Sequence, residues 1–391
     1  MNRKYDFDTP VNRKGTDAIK WDVPEGELPM WVADMDFRTA PEIIEALKER
    51  CDHGVFGYAN VPEEWYQAYI SWWERRHHFT MDKDWLIFCT GVIPAISSIV
   101  RKLTTPNENV VVLTPIYNTF FNSIINNGAR DLQCPLIEEN GIFRIDYAAL
   151  EEKLANPQTS LMIFCNPHNP VGKIWDEEDL RKVGELCAKH HVIVVADEIH
   201  CDITRPGTEY TPFASVSDLC RDNSITCIAP SKTFNMAGMQ SAACVVPNPV
   251  LRHKVWRALN TDEVAEPNSF ATLACITAFN KGEEWVKQLN EYVFENRRMV
   301  EEYIEKNLPM IKVTKADATY LLWLDIREIQ YPGSTLDLAL KIRELTGLYL
   351  LPGHLYGEAG EGFLRMNVAC PKNYVEDGLE RLNKAVSAMR K

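Results

Sequence analysis

Five short apolar runs, spaced along the first two thirds of the chain, constrain the fold more than any other feature of the sequence. They alternate with segments whose apolar residues recur at helical spacing, such as DEEDLRKVGELCAKHH. Several runs are apolar at consecutive positions, as strands are when helices cover both faces of a sheet. The runs occupy residues 84–90, 109–115, 160–167, 191–198 and 224–230. Alternating strands and helices predict an α/β fold with a mostly parallel central sheet.

A change of pattern near residue 284 predicts a second, smaller domain. A long amphipathic segment is followed there by the strand-like stretch YLLWLDI, another helical segment and the stretch GFLRMNVAC. We therefore expect a large domain at residues 46–283 with helices on both faces of its sheet, and a small α+β domain at 284–391. An N-terminal segment, 1–45, is expected to join the small domain and the substrate site.

The composition of the chain limits its partners. Its 391 residues contain 42 lysines and arginines against 55 acidic residues, and the net charge of −13 argues against binding to nucleic acids or anionic membranes. The eleven cysteines are scattered without a C-x-x-C pair, so we expect reduced core thiols rather than a metal site or disulfides. Because the first residues lack the apolar core of a signal peptide and no run of about 18 apolar residues occurs, we predict a cytoplasmic protein.

The residues that follow the apolar runs lie where the carboxyl ends of parallel strands open into a ligand crevice. After the first run, Gly91 permits a tight turn and Pro94 suits a first helical turn. The N–H groups of Gly91, Val92 and Ile93 would then form an anion site at a helix N-terminus. An ordinary strand-turn-helix connection without a ligand is the alternative.

Four further side chains follow the other runs, and each has a structural explanation when taken alone. Tyr117 is either a ring that lies on a planar ligand or a core aromatic, and Asn166 presents its amide at a strand end or makes an Asx-Pro turn. Asp197 ends an apolar strand, where a buried carboxylate needs a cationic or strongly donating partner, and a structural ion pair is the alternative. Lys232, in SITCIAPSKTFNMAGMQ, is either a reactive amine or a surface or salt-bridging lysine.

Together these residues fit pyridoxal phosphate. The lysine amine makes the Schiff base and later acts as a base, and the carboxylate keeps the pyridine nitrogen protonated so that the ring withdraws electrons. The asparagine amide hydrogen-bonds the ring hydroxyl, the helix N-terminus holds the phosphate, and the tyrosine covers one face of the ring. We therefore predict pyridoxal 5'-phosphate (PLP) as the cofactor.

A family resemblance supports this combination. The strings TGVIP, PIY, NPHNPVG, ADEIH, APSKTFNMAGMQ and LRMNVACP, in this order and spacing, resemble the fold-type I PLP enzymes of the aminotransferase class I/II superfamily over nearly the whole chain. LPMWVADMDF, GVFGYA and PSKTFN resemble the cystathionine β-lyases of the MalY/PatB type, also called C–S lyases. The resemblance implies the fold-type I transferase fold, with PLP bound by the large domain.

The resemblance also implies the roles of individual residues. Lys232 is the Schiff-base lysine, Asp197 the partner of the pyridinium nitrogen, and Asn166 the ligand of the ring hydroxyl. Tyr117 is the stacking ring. Arg365, in FLRMN, binds the substrate α-carboxylate, to which the planar guanidinium is suited.

Further contacts are implied around that set. Ser231 joins the helix N-terminus in binding the phosphate. Tyr58 reaches the phosphate of the other subunit, so a homodimer with shared active sites follows. Ala33 and Asp34, within ADMDF, are expected to belong to the substrate site.

Two positions depart from the commoner aminotransferase pattern. Eight residues after the lysine, where many relatives have an arginine that pairs with phosphate, this chain has Gln240, so Ser231 and the helix N-terminus must contribute more. Three residues after the aspartate, where many relatives have a tyrosine, it has His200. That histidine either donates to the ring hydroxyl or packs behind the site, and we favour packing.

Two histidine pairs and a glycine-rich stretch have structural explanations. The pairs at residues 77–78 and 190–191 lie at predicted helix ends without a carboxylate or cysteine at ligand spacing, which indicates surface helix termini. PGHLYGEAGEG, at 352–362, lacks G-x-G-x-x-G and is either a mobile loop near the substrate or a plain surface turn.

The predicted reaction is a PLP-dependent β-elimination on L-cystathionine or a related cysteine S-conjugate. Lys232 removes the Cα proton, a thiolate leaves from Cβ with assistance from Tyr117, and pyruvate and ammonia follow. An aminotransferase with the same residues is the first alternative, because elimination and transamination diverge after the same carbanion. A regulatory protein that binds a transcription factor on the same scaffold is the second, since a fold does not settle a function.

Overall fold

The computed structural model describes residues 4–389, and the elements below are those of that range. The strands are β1 (Leu28–Pro29), β2 (Leu86–Cys89), β3 (Asn109–Thr114), β4 (Arg130–Pro135), β5 (Ile137–Glu139), β6 (Ile142–Arg144), β7 (Thr159–Cys165), β8 (Ile193–Asp197), β9 (Ser224–Ile228), β10 (Ala242–Val245), β11 (Lys312–Val313), β12 (Leu321–Asp325), β13 (Leu348–Tyr349), β14 (Leu351–Pro352) and β15 (Phe363–Asn367). The α-helices are α1 (Pro41–His53), α2 (Glu63–His77), α3 (Val92–Leu103), α4 (Thr119–Ile125), α5 (Tyr147–Leu154), α6 (Glu177–Lys189), α7 (Asp218–Asp222), α8 (Pro230–Thr233), α9 (Pro249–Thr261), α10 (Ala271–Lys281), α11 (Glu283–Asn307), α12 (Thr335–Thr346) and α13 (Lys372–Met389). In this part of the chain, none of the helices has both the length and the apolar character that a membrane span requires.

A seven-stranded sheet forms the centre of the molecule, in the order β2-β10-β9-β8-β7-β3-β4. All of its strands run parallel except β10, which is antiparallel to both neighbours. The five apolar runs of the sequence form β2, β3, β7, β8 and β9. The predicted α/β fold with a mostly parallel sheet is therefore confirmed. Strands β4 and β10 were not among the predicted strands.

Both faces of this sheet are buried, which explains why its strands are apolar at consecutive positions. Val110 and Val112 of β3 contribute to one core cluster with α3 and α9, whereas Val111 and Leu113 contribute to a second cluster with α5 and α6. Each fully buried side chain of this kind stabilises the fold by about 1.5–3 kcal/mol relative to an exposed one. Because successive side chains of the strand point to opposite faces of the sheet, helices pack against both faces.

A second, antiparallel sheet has the order β11-β12-β15-β14 and lies among α11, α12 and α13. Its Trp323 and Phe363 rings stack at 5.2 Å and belong to the same core cluster as the second face of the central sheet. The N-terminal segment runs along this small sheet, because Asn367 N of β15 donates to Met30 O and Asp36 N donates to Ala369 O. Strand β1 pairs with β13 in a separate two-stranded sheet. The domain limits given above stay predictions.

Candidate active site

A cavity of about 270 Å³ lies at the carboxyl ends of the central strands. The predicted site residues that line it are Ala33, Gly91, Val92, Ile93, Tyr117, Asp197, Ser231 and Lys232. Asn169, His200, Gln240 and Ser241 also line it. The parallel strands end on one edge of the sheet, so side chains far apart in sequence meet there.

Lys232 lies in α8, which follows the end of β9 after a single residue. Its Nζ faces the cavity and donates to Ala33 O at 2.6 Å. Burial and the positive charge of Arg365 lower the pKa of the Lys232 amine to about 8. A useful fraction of the amine is therefore neutral near pH 7–8, which a base or nucleophile requires.

Asp197 is the last residue of β8 and is 3% exposed. Its Oδ1 accepts from Ile199 N at 3.1 Å, and no cationic side chain within residues 4–389 makes a salt bridge with it. Burial raises the pKa of this carboxyl group to about 6. A buried carboxylate that lacks a cation is suited to a positively charged ligand atom, such as a protonated pyridine nitrogen.

Hydrogen-bond donors on another part of the cavity wall form an anion-binding cradle. Helix α3 begins at Val92, and its first turn leaves the N–H groups of Val92 and Ile93 without intrahelical acceptors. Ser231 and Ser241 add hydroxyl groups, and Ser241 Oγ is buried without a hydrogen-bond partner among the described residues. Lys232 is the one cation among the residues that line the cavity within the described chain, so the cradle consists of neutral donors.

Asn166, the predicted ligand of the ring hydroxyl, does not line the cavity, and its amide group is used by the fold. Asn166 Nδ2 donates to Thr211 O at 3.1 Å, and its Oδ1 accepts from Trp175 N at 3.2 Å. Asn169, the second asparagine of NPHNPVG, lines the cavity instead. The sequence contains two Asn-Pro pairs, and only the three-dimensional course of the turn shows which asparagine lines the cavity.

Arg365, on β15, lies directly behind the cavity wall and is 3% exposed. Its Nη2 donates to Trp31 O at 2.8 Å and its Nη1 to Asn169 Oδ1 at 3.3 Å. Its Nε is buried and has no acceptor, and no carboxylate within residues 4–389 forms a salt bridge with it. Such a buried guanidinium without a counter-charge favours the approach of an anionic ligand.

The two predicted residues of the ADMDF segment are placed differently. Ala33 lines the cavity through its backbone, and its carbonyl accepts from Tyr320 OH at 3.0 Å as well as from Lys232. Asp34 does not line the cavity, and its carboxylate is paired within the N-terminal segment. It forms salt bridges with Arg13 at 2.5 Å and Lys20 at 3.7 Å within the N-terminal segment.

The two predicted tyrosines lie in different environments. Tyr117 lines the cavity, with its ring edge-on to Phe120 at 5.6 Å. Tyr58 is fully exposed in the connection between α1 and α2 and does not contact the cavity of its own chain. Any contact that Tyr58 makes with a bound cofactor therefore requires another chain.

His200, His77 and the glycine-rich stretch 352–362 are not simple surface features. His200 lines the cavity, and burial lowers the pKa of its imidazole to about 3, so it is neutral. His77 is buried and hydrogen-bonded to Asp202 at 3.1 Å, so the surface interpretation is wrong for it. Within 352–362, Tyr356 is fully buried with its ring 5.1 Å from the Arg365 guanidinium, so this stretch is not a plain surface turn.

Comparison with known proteins places this geometry in a family. The family model for aminotransferase class I and II matches residues 28–382. The chain is 42% identical to cystathionine beta-lyase PatB of Bacillus subtilis, over 97% of this chain and all of that protein, and 32% identical to protein MalY of Escherichia coli, over 99% and 100%. The crystal structure of cystalysin from Treponema denticola, which contains a pyridoxal 5'-phosphate cofactor, superposes with a TM-score of 0.95 at 33% identity, covering 98% of this chain and 99% of that one. The chain belongs to the aminotransferase class I and II family.

Proposed function

We propose that the protein is a PLP-dependent carbon–sulfur β-lyase that cleaves L-cystathionine or a related cysteine S-conjugate to a thiol, pyruvate and ammonia. One observation carries the proposal: the amine of Lys232, the lone carboxylate of Asp197 and the N-terminus of α3 line one cavity. The relatives named cystathionine beta-lyase or solved with PLP support both the reaction and the cofactor.

The residues of the cavity fit PLP. Asp197 would hold the pyridine nitrogen, because it is a buried carboxylate without a cation, and the neutral donors around Val92, Ile93 and Ser241 would hold the phosphate. When bound, PLP withdraws electrons from the substrate Cα, which makes the Cα proton acidic and allows the Cβ substituent to leave. Asn169 would take the role that the sequence suggested for Asn166, since Asn169 is the asparagine that lines the cavity.

Lys232 would take the Cα proton. Its pKa of about 8 lets the amine accept a proton near neutral pH and release it again, as a general base must. The Ala33 carbonyl, which accepts from this amine at 2.6 Å, holds it at the cavity wall. Proton transfer requires such a fixed position because its rate depends on short, aligned contacts.

Arg365 would bind the α-carboxylate of the amino-acid substrate. Its guanidinium is buried, lacks a carboxylate partner and has an unpaired Nε. A bidentate guanidinium–carboxylate contact would supply the missing charge and orient the substrate. Tyr117, on the cavity wall, would stack on the ring and assist the leaving thiolate, and replacing it with phenylalanine without a change in turnover would remove that second role.

A homodimer with shared sites belongs to the same proposal. Val55, Phe56 and Tyr58 expose more than half of their surface in one connection, and such an apolar patch is typical of an interface. Tyr58 would then reach the phosphate of the partner's cofactor. Mixing inactive Tyr58→Ala and Lys232→Ala chains should restore activity, because a mixed dimer then has one intact site. A cytoplasmic location is proposed as well, since all eleven cysteines are free.

The proposed reaction is tested by its products. Purified protein loaded with PLP and mixed with L-cystathionine should release pyruvate and thiol in equal amounts over many turnovers, and Lys232→Ala should release neither. Stoichiometric conversion of the cofactor to its pyridoxamine form, without pyruvate, would instead identify an aminotransferase.

A further inference from the structure

Asp202 lies at the centre of a buried group of hydrogen-bond donors that the proposed reaction does not use. Its carboxylate accepts from Trp72 Nε1 at 3.1 Å, Arg76 Nε at 2.9 Å and His77 Nε2 at 3.1 Å. Burial alone would raise the pKa of Asp202, but the charge of Arg76 and the hydrogen bond from His77 hold that pKa well below its usual range. Asp202 is therefore a permanently charged group with fixed partners at the end of α2.

A fourth donor connects this carboxylate with the lysine turn. Thr233 Oγ1 donates to Asp202 Oδ2 at 3.1 Å, and Thr233 is fully buried next to Lys232. Helix α8 has only four residues and closes one hydrogen bond across its turn, from Phe234 N to Pro230 O. A helix this short has little stability of its own, so tertiary contacts decide where it lies.

The same group could suggest a metal site, because ligand atoms of His77, Cys201 and Asp202 lie within 4.8 Å of one another. The hydrogen bonds argue against that interpretation. His77 Nε2 already contacts Asp202 Oδ1, and Arg76 and Thr233 occupy the carboxylate oxygens. A metal ion would have to displace the partly buried Arg76 cation, so the group is better explained as an anchor.

We propose that Asp202 is a positioning residue: through Thr233 it fixes the turn that carries Lys232 and keeps the amine at the Ala33 carbonyl, facing the cavity. This inference rests on the proposed function in that Lys232 is the residue that reacts. Because a displacement of about 1 Å in a reacting group costs about 100-fold in rate, a single hydrogen bond at the neighbouring residue is expected to matter.

The variant Thr233→Val tests the proposal, because it keeps the shape of the side chain and removes the donor. In the PLP-loaded enzyme, kcat on L-cystathionine should fall by about 10- to 100-fold while KM stays within about threefold. The matched control is Thr226→Val on β9. Thr226 is also buried, but its Oγ1 has no hydrogen-bond partner within residues 4–389, so its loss should leave kcat unchanged.

A second measurement does not depend on any substrate. The rate at which the apoprotein takes up PLP on Lys232, followed by borohydride reduction and peptide mass spectrometry, should be at least about fivefold slower in Thr233→Val than in the wild type and Thr226→Val. Uptake on Lys232 without pyruvate release in the wild type would refute the proposed function and leave this comparison intact.

The outcome that overturns the proposal is a folded Thr233→Val protein with wild-type kcat and wild-type PLP uptake. If Thr233→Val does not fold, Thr233→Ser and Thr233→Ala are compared instead. Both variants lack the Cγ2 methyl group of threonine, and only serine keeps the hydroxyl donor. Uptake at least about fivefold faster in Thr233→Ser than in Thr233→Ala supports the proposal, and equal rates overturn it.

Discussion

Replacing Arg365 with methionine separates substrate binding from stability. The substitution keeps an unbranched side chain with the length of the arginine stem but removes the guanidinium that we propose as the partner of the substrate α-carboxylate. In the absence of substrate that guanidinium is 3% exposed, lacks a carboxylate partner and leaves its Nε unpaired. Arg365→Met should therefore weaken substrate recognition severely without the stability loss that most buried substitutions cause.

The magnitudes follow from the contacts. Hydrogen bonds to a charged group contribute about 1.5–3 kcal/mol, which corresponds to a fall of about 10- to 150-fold in kcat/KM. For stability, two hydrogen bonds from the charged guanidinium, to Trp31 O and Asn169 Oδ1, are lost, at about 1.5–3 kcal/mol each. Release of a buried, unpaired charge offsets that loss by several kcal/mol. The Tm of the apoprotein should therefore be unchanged or higher.

Arg297→Met provides the matched control. Arg297 is equally buried, but it forms a salt bridge with Glu301 at 2.9 Å and donates to Thr314 O at 2.7 Å. Because Glu301 is partly exposed, its loss of a partner should cost about 1–3 kcal/mol of unfolding free energy and leave kcat/KM unchanged. Steady-state kinetics and thermal unfolding measure both effects. Wild-type kcat/KM in Arg365→Met would refute the assignment of this arginine.

Three further predictions concern the cofactor end of the site. The rate of PLP uptake by the apoprotein should rise with pH and level off above about pH 8, because only the neutral amine of Lys232 reacts, and a rate still rising steeply above about pH 9.5 would contradict this. The same lowered pKa means that the unfolded chain binds this proton more tightly, so the apoprotein should gain stability between pH 8 and 10.5. Asn169→Ala should lower kcat/KM with little effect on stability, whereas Asn166→Ala should lower the unfolding free energy by about 1–3 kcal/mol because two buried main-chain groups lose their partner. Denaturant titration and kinetics compare the two variants, and the reverse pattern would contradict the choice of Asn169 as the asparagine that contacts the cofactor. Gln240→Arg should tighten PLP binding about tenfold, because it adds a cation to a cradle of neutral donors. Equilibrium dialysis measures the affinity, and an unchanged affinity would mean that the phosphate lies elsewhere.

The strand and helix pattern was the most predictable part of the molecule. Five apolar runs became five strands of one sheet, and the long helix suggested by EEWVKQLNEYVFENRRMVEEYIEKN covers Glu283–Asn307. These elements are governed by local periodicity and by burial, which a sequence displays directly. Strand β4 was not predicted because half of its residues, in RDLQCP, are polar. Strand β10 was not predicted because it is a short antiparallel strand whose first residues are alanines. Its pairing with β2 and β9 is a tertiary choice.

The site was predictable where a residue follows a strand directly and less so where the chain turns first. Asp197 ends β8 and Lys232 comes one turn after β9, so both lie in the cavity as expected. Two residues of turn, Pro167 and His168, lie between Asn166 and Asn169, and nothing in the two asparagine side chains tells which one faces the ligand. Asp34 has the charge of a site residue, but its carboxylate is paired with Arg13, 21 positions earlier, and Asp34 does not line the cavity.

The most direct test is to find where PLP attaches. Borohydride reduction of the PLP-loaded protein, digestion and peptide mass spectrometry locate the lysine that carries the cofactor. Attachment at Lys232 alone, and none in Lys232→Ala, is the predicted result, because this amine has a lowered pKa and faces the cavity that Asp197 and the N-terminus of α3 complete. Attachment at another lysine, or no attachment at all, would contradict the assignment of this cavity as the active site.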